Sequence, residues 1–194
     1  MRITGGSARG RKLATPKSGQ ALIRPTCDRV REALFNILAS RIAGSRVLDL
    51  FAGTGAIGIE ALSRGAAFAL FVDQATEAGR LIETNLRTCF PQPMAAFVQL
   101  NLATATHFQP LQSRMPPATR FDLVFMDPPY QKHLAEHVLT VVEKTDLLAA
   151  NALVVVEEHR SVILPAMVGS LTVLDHRRYG ETGIWIYGRQ LTPS

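Results

Sequence analysis

The residues best suited to chemistry by type and spacing are three glycines, Gly53, Gly55 and Gly58. They follow a short apolar run, residues 46–51, and a helix-like segment begins at Ala56. A strand, a glycine turn and a helix in this order form the nucleotide site of many α/β proteins, at the carboxyl edge of the sheet. The glycines allow the backbone to approach a ligand because no Cβ stands in the way.

Two acids and a second motif narrow the choice of nucleotide. Asp73 lies 20 positions after Gly53, at the spacing of a ribose-binding acid, and this spacing alone would also fit NAD. Asp49 lies inside the first apolar run, where an acid suits a cationic ligand better than a pyrophosphate. The tetrapeptide Asp-Pro-Pro-Tyr, residues 127–130, ends another apolar run and has no role in hydride transfer. The GKS or GKT of a P-loop does not occur in the sequence.

Apolar runs that alternate with helix-like segments predict the elements that position these motifs. The expected strands are residues 46–51, 68–72, 96–100, 121–126, 152–156, 171–178 and 183–187. Helices are expected after Thr26, from Ala56, over 77–86 and over 133–143, whereas 161–170 is expected to be helical at best and 109–119 to be a loop. The alternation predicts an α/β fold with a mostly parallel seven-stranded sheet. The closing hairpin makes the last strand antiparallel.

The first part of the chain is strongly basic. Residues 1–46 carry ten basic side chains and two acids, a formal charge of +8, and the rest carries −3. Such a basic arm on a mildly acidic domain favours a polyanion, above all a nucleic acid, although a solvated basic tail is the alternative. We expect residues 1–45 to form an arm of hairpin and helix packed on a core domain, residues 46–194.

Composition excludes several other classes of protein. With 47% hydrophobic and 19% charged residues, the 194-residue chain is expected to be globular, and no apolar run is long enough to span a bilayer. The opening residues lack the apolar core of a secretory signal, and Cys27 and Cys89 lack zinc-ligand spacing, so a cytoplasmic protein is expected. His133 and His137 have no third ligand nearby and are expected on a solvated helix face. No metal site is expected.

Longer stretches carry a resemblance to a known family. DLFAGTGAIGIEALSRGA, followed by FDLVFMDPPY, resembles the class I S-adenosylmethionine (SAM)-dependent methyltransferases that methylate amino groups. RPTCDRVREALFNIL, the opening RITGGSARGRKL and the closing RRYGETGIWIYGR resemble the RsmD family, over nearly the whole chain. The resemblance implies a Rossmann-like fold and methyl transfer from SAM to the exocyclic N2 of one guanine in bacterial 16S rRNA. DPPY alone is shared with DNA adenine methyltransferases.

The resemblance also implies roles for individual residues. The catalytic residues would be Asp127, Pro128, Pro129 and Tyr130. SAM would be bound by Asp49, Phe51, Gly53, Gly55, Asp73 and Asn101, with Asp73 on the ribose and Asn101 near the adenine, where the family usually has Asp. Independently of the resemblance, the charge of the arm and the aromatic face of Tyr130 predict the residues that bind the RNA: Arg9, Arg11, Lys12, Arg24, Arg29 and Tyr130. Structural alternatives stay open: Asp49 and Asp73 as caps, Arg24 and Arg29 as surface charges, and DPPY as a turn. Cys27 departs from a usual Thr.

The chemistry of amine methylation explains why such a site needs DPPY. The exocyclic amine of guanine is a poor nucleophile because its lone pair is delocalised into the ring. The Asp127 carboxylate and the Pro128 carbonyl can accept its N–H groups and localise that pair, while the prolines hold the backbone. The base must leave its stack, and Tyr130 offers an aromatic face to receive it. The excess proton can leave to Asp127 or to water.

Two other functions compete with this prediction. A DNA adenine-N6 methyltransferase usually carries a separate target-recognition domain, for which this chain has no room. A non-catalytic RNA-binding module would not need Asp127 and Tyr130. The stretch Glu157-Glu158-His159 is either structural or substrate-facing. The partner would be 16S rRNA, as naked RNA or within a small subunit or assembly intermediate, and a monomer is expected.

Overall fold

The computed structural model describes residues 1–16, 28–112, 114–115, 118–129 and 134–189. Within them, eight strands form one sheet in the order β3-β2-β1-β4-β5-β8-β7-β6. The strands are β1 (Arg46–Leu50), β2 (Phe68–Asp73), β3 (Ala95–Gln99), β4 (Phe121–Met126), β5 (Leu148–His159), β6 (Met167–Val168), β7 (Leu171–Tyr179) and β8 (Thr182–Arg189). The helices are α1 (Asp28–Ile37), α2 (Ala39–Ile42), α3 (Ala56–Ser63), α4 (Thr76–Cys89), α5 (Gln109–Gln112) and α6 (Leu134–Glu143).

The strand directions confirm the predicted fold class. Strands β1 to β5 are mutually parallel, and β8 is antiparallel to both β5 and β7. Since β7 is antiparallel to β8, it runs in the same direction as β5, and the carboxyl end of β7 lies at the carboxyl edge of the parallel strands. The long hairpin of β7 and β8 therefore ends at the edge where a ligand of this fold binds.

The sheet contains one strand more than the seven expected. The segment 161–170, expected to be helical at best, instead turns and forms the two-residue strand β6, which pairs with β7. Pro165 and Gly169 explain the difference, since proline disfavours the helix interior and Gly169 has φ +55°, outside the helical region. The loop expected over 109–119 contains the short helix α5, and β5 is longer at both ends than expected.

The order of the strands reverses between β1 and β4, which are neighbours in the sheet although two strands separate them in the chain. Such a reversal is the switch point at which open α/β sheets bind ligands. Leu50 of β1 is paired with Met126 of β4, so the segments that follow these two residues start side by side. The glycine turn and the Asp-Pro-Pro segment are therefore adjacent.

Apolar side chains cover both faces of the sheet. On one, here called the α6 face, Leu48 and Leu50 pack in a cluster that includes Val138 of α6. On the other, here called the α3 face, Val47 packs in a cluster with Ile59 of α3. The helices α1 and α4 also contribute to the cluster on the α3 face. Burial on both faces explains why the parallel strands appear in the sequence as continuous apolar runs.

The N-terminal residues form a single antiparallel bridge, Arg2 with Lys12, in place of the expected short strands. They are docked on α3 by the carboxylate of Glu60, which accepts hydrogen bonds from the backbone N–H groups of Thr4 and Gly5, both at 2.8 Å. Glu60 is fully buried, and a buried carboxylate is stable only when its oxygens are satisfied. The arm thus supplies the donors that Glu60 requires.

Two guanidinium groups complete this buried cluster. Arg64 Nε lies 2.8 Å and Arg31 Nε 3.4 Å from the carboxylate oxygens of Glu60. Arg31 is fully buried and also donates to the carbonyl of Arg2, so it joins α1 to the arm. Glu60 is thus paired with two guanidinium groups, and Arg31 is also paired with Asp28 at 3.0 Å. Removing one of these charges would leave the remaining buried charges less well compensated, which is destabilising.

Candidate active site

Left-handed backbone conformations shape the turn that follows β1. Phe51, Gly53 and Gly55 have φ of 61°, 53° and 76°. This conformation is ordinary for glycine, but for Phe51 it costs about 1–3 kcal/mol, and such strain is concentrated at functional sites. A Cβ on Gly58 would lie 2.3 Å from a ring carbon of Phe71, so only glycine lets α3 pack this closely on β2.

Asp49 lies beneath this turn on the α3 face and is only 3% exposed. Its Oδ2 accepts a hydrogen bond of 2.9 Å from the backbone N–H of Gly58, in the first turn of α3. Burial raises the pKa of Asp49 to about 7, the Gly58 N–H partly opposes this rise, and the charge of Asp73 adds to it. The structure therefore shows the capping contact. A cationic ligand above the turn would stabilise the ionised carboxylate.

Asp73, at the end of β2, connects two segments of the edge. One carboxylate oxygen accepts the N–H of Gly53 at 2.9 Å, and the other accepts the N–H of Ala75 at 2.8 Å, next to the start of α4. A carboxylate has about four acceptor positions, so two remain available for the hydroxyls of a ribose. The bond to Ala75 precedes the first residue of α4 and does not cap that helix, whereas the predicted ribose contact is compatible with this geometry.

Asn101 follows β3 at the same edge, since the N–H of Leu100 bonds to the carbonyl of Asp73 at 3.0 Å. It is exposed, and its Oδ1 accepts the N–H of Ala103 at 3.0 Å. This bond folds the side chain back on its own loop. The predicted contact between Asn101 and an adenine stays a prediction.

The candidate catalytic segment starts directly after β4. Asp127 is half-buried, Pro128 is buried and Pro129 is exposed. Because Met126 pairs with Leu50, and neighbouring strands lie about 4.8 Å apart, this segment lies beside the glycine turn. Tyr130, the fourth residue of the predicted motif, lies outside the described residues.

The predicted RNA-binding side chains of the arm lie elsewhere. Arg9, Arg11 and Lys12 are exposed, as is Arg29 in the first turn of α1, whereas Arg24 lies outside the described residues. The arm is attached at the end of α3, where the N–H of Ser7 bonds to the carbonyl of Ser63 at 2.7 Å.

That attachment point lies at the amino edge of the sheet, since the N–H of Gly44, next to β1, bonds to the carbonyl of Gly65 at 2.8 Å. The five residues of β1 separate the two edges by roughly 16 Å. The structure thus does not bring Arg9 together with Asp127.

Sequence reasoning missed Asn85 of α4, which is fully buried and connects the arm to the glycine turn. Its Nδ2 donates to the carbonyl of Thr54 at 2.9 Å and to that of Ala14 at 3.1 Å. Its Oδ1 accepts the N–H of Ala14 at 2.7 Å. The sequence feature that could have identified Asn85 is its position on the apolar stripe of α4, seven residues after the buried Ala78.

Basic side chains on the hairpin were also missed. Arg177 and Arg178 are exposed near the carboxyl end of β7, and Arg160 is exposed directly after β5. Arg177 is paired with Asp175 at 2.8 Å. These groups lie at the same edge of the sheet as Asp127, whereas Arg9 lies at the opposite edge. Their position follows from the direction of β7, which the sequence shows only as part of a hairpin.

Comparison with known proteins decides the family. The family model described as "Conserved hypothetical protein 95" matches residues 1–188. The chain belongs to this family, the RsmD family predicted from the sequence. "Ribosomal RNA small subunit methyltransferase D" of Escherichia coli K12 is 34% identical over 98% of this chain and 90% of its own length. "Putative rRNA methyltransferase YlbH" of Bacillus subtilis is 35% identical over 98% of this chain and all of its own length.

The solved structures agree with this assignment. The structure described as "Putative methyltransferase yhhF from Escherichia coli" matches with a TM-score of 0.80, at 34% identity and over 99% of both chains. The prediction of a class I methyltransferase fold is thereby confirmed for this RsmD-family chain.

The structure also bears on two other predictions from the sequence. In the described ranges, no group of three or more His, Cys, Asp or Glu side chains could hold a metal ion. His137 is half-buried, and its Nε2 donates to the carbonyl of Ala105 at 3.1 Å, while His133 lies outside the described residues. Within the part of the chain that the structure describes, no helix is long and apolar enough to cross a membrane.

Proposed function

We propose that this protein transfers a methyl group from SAM to the exocyclic N2 of one guanine in 16S rRNA of the bacterial small ribosomal subunit. The observation that carries the proposal is the junction of β1 and β4, where the glycine turn and the Asp127 segment start from the paired residues Leu50 and Met126. The name of the Escherichia coli relative supports rRNA of the small subunit as the substrate class.

The turn suits SAM by its charge and shape. SAM carries an ammonium and a sulfonium, and the buried carboxylate of Asp49 favours a cation above it. Gly53 and Gly55 have no side chain to obstruct the methionine end, and Phe51 borders the same turn. The free acceptor positions of Asp73 suit the ribose, and the carbonyl of Asn101 suits the adenine amine. When bound, SAM supplies an electrophilic methyl carbon.

The residues after β4 activate the amine. The Asp127 carboxylate and the Pro128 carbonyl accept the two N–H groups of N2 and direct its lone pair at the methyl carbon. The N–C bond forms as the S–C bond breaks, S-adenosylhomocysteine leaves, and one N–H proton passes to Asp127 or to water. Tyr130 holds the extruded base by stacking. Alignment of nitrogen and carbon at about 3–3.5 Å contributes much of the rate.

The RNA binds on two sides of this site. In this proposal residues 1–45 form the basic arm and residues 46–194 the methyltransferase domain. Arg9 binds phosphates far from the reacting base, since the neighbouring Ser7 and Ala8 are attached to Ser63 at the opposite edge. Arg11 and Lys12 bind phosphates along the part of the arm that leads to Ala14, which Asn85 connects to the glycine turn. The hairpin cations, led by Arg178, bind at the same edge of the sheet as Asp127, and Arg24 and Arg29 are the remaining predicted contacts with the RNA. The protein acts as a cytoplasmic monomer on a small subunit or its assembly intermediate.

Methyl transfer to defined substrates tests the proposal. Purified protein is incubated with radiolabelled SAM and small subunits from a strain that lacks the gene. The RNA is then digested to nucleosides. We expect label in N2-methylguanosine. Label in N6-methyladenosine would indicate the adenine chemistry that DPPY sites also perform, and the absence of any label in RNA or subunits would refute the proposal. Light scattering of the purified protein tests the monomer.

A further inference from the structure

Glu157 lies beside the candidate catalytic Asp127. Val156 of β5 pairs with Met126 of β4, so Glu157 and Asp127 are the next residues of two neighbouring parallel strands. Whereas β4 ends at Met126, β5 continues to His159. Neighbouring strands lie about 4.8 Å apart, so the two carboxylates start from adjacent backbone positions at the carboxyl edge.

The alternation of side chains along the two strands places Glu157 on the α3 face and predicts the same face for Asp127. Met126 and Val156 pack in the cluster on the α6 face, and Phe125 and Val155 in the cluster on the α3 face. Successive side chains of a strand alternate between faces, which turns Glu157, still within β5, to the α3 face. Asp127 follows the end of β4 and precedes Pro128. Because the residue before a proline favours extended backbone, we expect the alternation to turn Asp127 to the same face.

The pairing of Glu157 with β8 independently places its side chain on the α3 face. Its antiparallel partner on β8 is Ile184, which packs in the cluster on the α3 face. Residues directly opposite in a ladder share a face. Glu157 is 8% exposed, so its carboxylate is largely removed from water. Its neighbour Glu158 points to the other face.

The neighbouring carboxylates of Asp127 and Glu157 match the hydrogen-bonding edge of guanine better than that of adenine. The Watson–Crick edge of guanine presents N1–H and the N2 amine side by side, and all of these hydrogens are donors. Adenine presents N1 as an acceptor next to its N6 amine. Two adjacent carboxylates can accept all of the hydrogens that guanine presents. With adenine, the lone pair of N1 would face one of the carboxylates, and that carboxylate would receive no hydrogen bond from the base.

We propose that Glu157 accepts the N1–H of the target guanine while Asp127 accepts an N–H of its N2 amine. Glu157 is then the residue that selects guanine over adenine at a motif that both classes of enzyme share. The inference rests on the proposed function. It assigns Glu157 a contact with the substrate but no part in the transfer of the methyl group.

The test exchanges the N1 donor of the base for an acceptor. Small subunits are assembled with guanine or with 2-aminopurine at the methylated position, because 2-aminopurine keeps the N2 amine but has an unprotonated N1. We expect the wild-type protein to prefer guanine in kcat/KM. In Glu157→Gln the amide can donate to an unprotonated N1, so the preference should fall roughly 10- to 100-fold. Glu158→Gln, on the opposite face, is the matched control and should retain the wild-type preference.

The comparison of the two bases separates recognition from a structural role. A loss of stability lowers kcat/KM for both bases equally and leaves their ratio unchanged, so an unchanged ratio in Glu157→Gln overturns the inference. If that variant does not fold, as judged by thermal unfolding, Glu157→Asp keeps the charge and should keep the preference with a lower rate; a lost preference there contradicts the inference. A wild-type protein without preference between the two bases refutes it as well. Failure of the wild-type protein to methylate guanine refutes the proposed function instead.

Discussion

The substitution Asp49→Asn tests whether the buried carboxylate beneath the glycine turn is held there for a cationic ligand. Asparagine keeps an oxygen that can accept the N–H of Gly58 at the observed 2.9 Å, but it carries no charge. The substitution therefore separates the capping contact from the electrostatic role. Loss of the charge is expected to raise the stability of the protein relative to wild type near neutral pH and to weaken the binding of a cationic ligand.

The direction of the stability effect follows from the pKa. Burial raises the pKa of Asp49 from 3.8 to about 7, so between these values the folded state binds a proton that the unfolded state releases. The protonated carboxyl group of Asp49 makes its full contribution to the free energy of unfolding below pH 3.8, and this contribution is lost as the pH rises through 7. At about 1.4 kcal/mol per pKa unit, roughly 2–3 kcal/mol is lost between about pH 5 and about pH 8. Asp49→Asn does not titrate, so its stability relative to wild type should rise by this amount.

Urea unfolding at several pH values between about 5 and 8 measures this difference. The control is Asp122→Asn, because Asp122 also accepts a backbone N–H, that of Arg46 at 2.8 Å, but lies on β4 at the amino edge, where it is half-buried. A stability difference between Asp49→Asn and wild type that does not change with pH would refute the reasoning.

Binding of SAM should change in the opposite direction. Loss of a charged partner costs about 1.5–3 kcal/mol, so calorimetry should show roughly 10- to 100-fold weaker binding by Asp49→Asn at about pH 8. Wild-type binding should also weaken as the pH falls below about 7, because Asp49 becomes neutral. Unchanged SAM affinity in the variant would mean that Asp49 acts only as a cap.

Three further predictions test the remaining parts of the site. Asp127→Ala should abolish turnover with nearly unchanged RNA and SAM binding, and full activity would contradict its assigned role. Arg9→Ala combined with Arg11→Ala should weaken RNA binding and lower the log–log salt slope by up to about 0.9 per lost phosphate contact. The double substitution should leave kcat unchanged, since Ser7 and Ala8, next to Arg9, are attached at the edge opposite to Asp127; an unchanged slope would show that these side chains do not contact RNA. Gly58→Ala should destabilise the fold by about 1–3 kcal/mol in urea unfolding, because its Cβ would meet the Phe71 ring at 2.3 Å, and a neutral effect would show that the ring moves freely.

Local patterns in the sequence were sufficient for the class of fold and the position of the motifs. Strand β4 was predicted with the bounds observed, since a buried parallel strand is a nearly continuous apolar run and Asp127-Pro128 ends this one. The glycines of the turn were recognisable because left-handed backbone and close packing require glycine whatever the rest of the chain does. The resemblance to class I methyltransferases rested on these stretches, whereas the resemblance to the RsmD family rested on RPTCDRVREALFNIL and on the two ends of the chain. The match over residues 1–188 confirms the family.

Only the tertiary structure decided which of these residues meet. Three features of the site depend on contacts between segments that are far apart in the chain. They are the bond from Gly58 to Asp49, the edge of the sheet at which Arg9 lies, and the connection of Ala14 to Thr54 through Asn85. Glu157 could be read as structural or substrate-facing until the register of β4 and β5 placed it beside Asp127. Periodicity reports which side of an element is buried, but the neighbour on that side is set by the strand order, which local sequence does not encode.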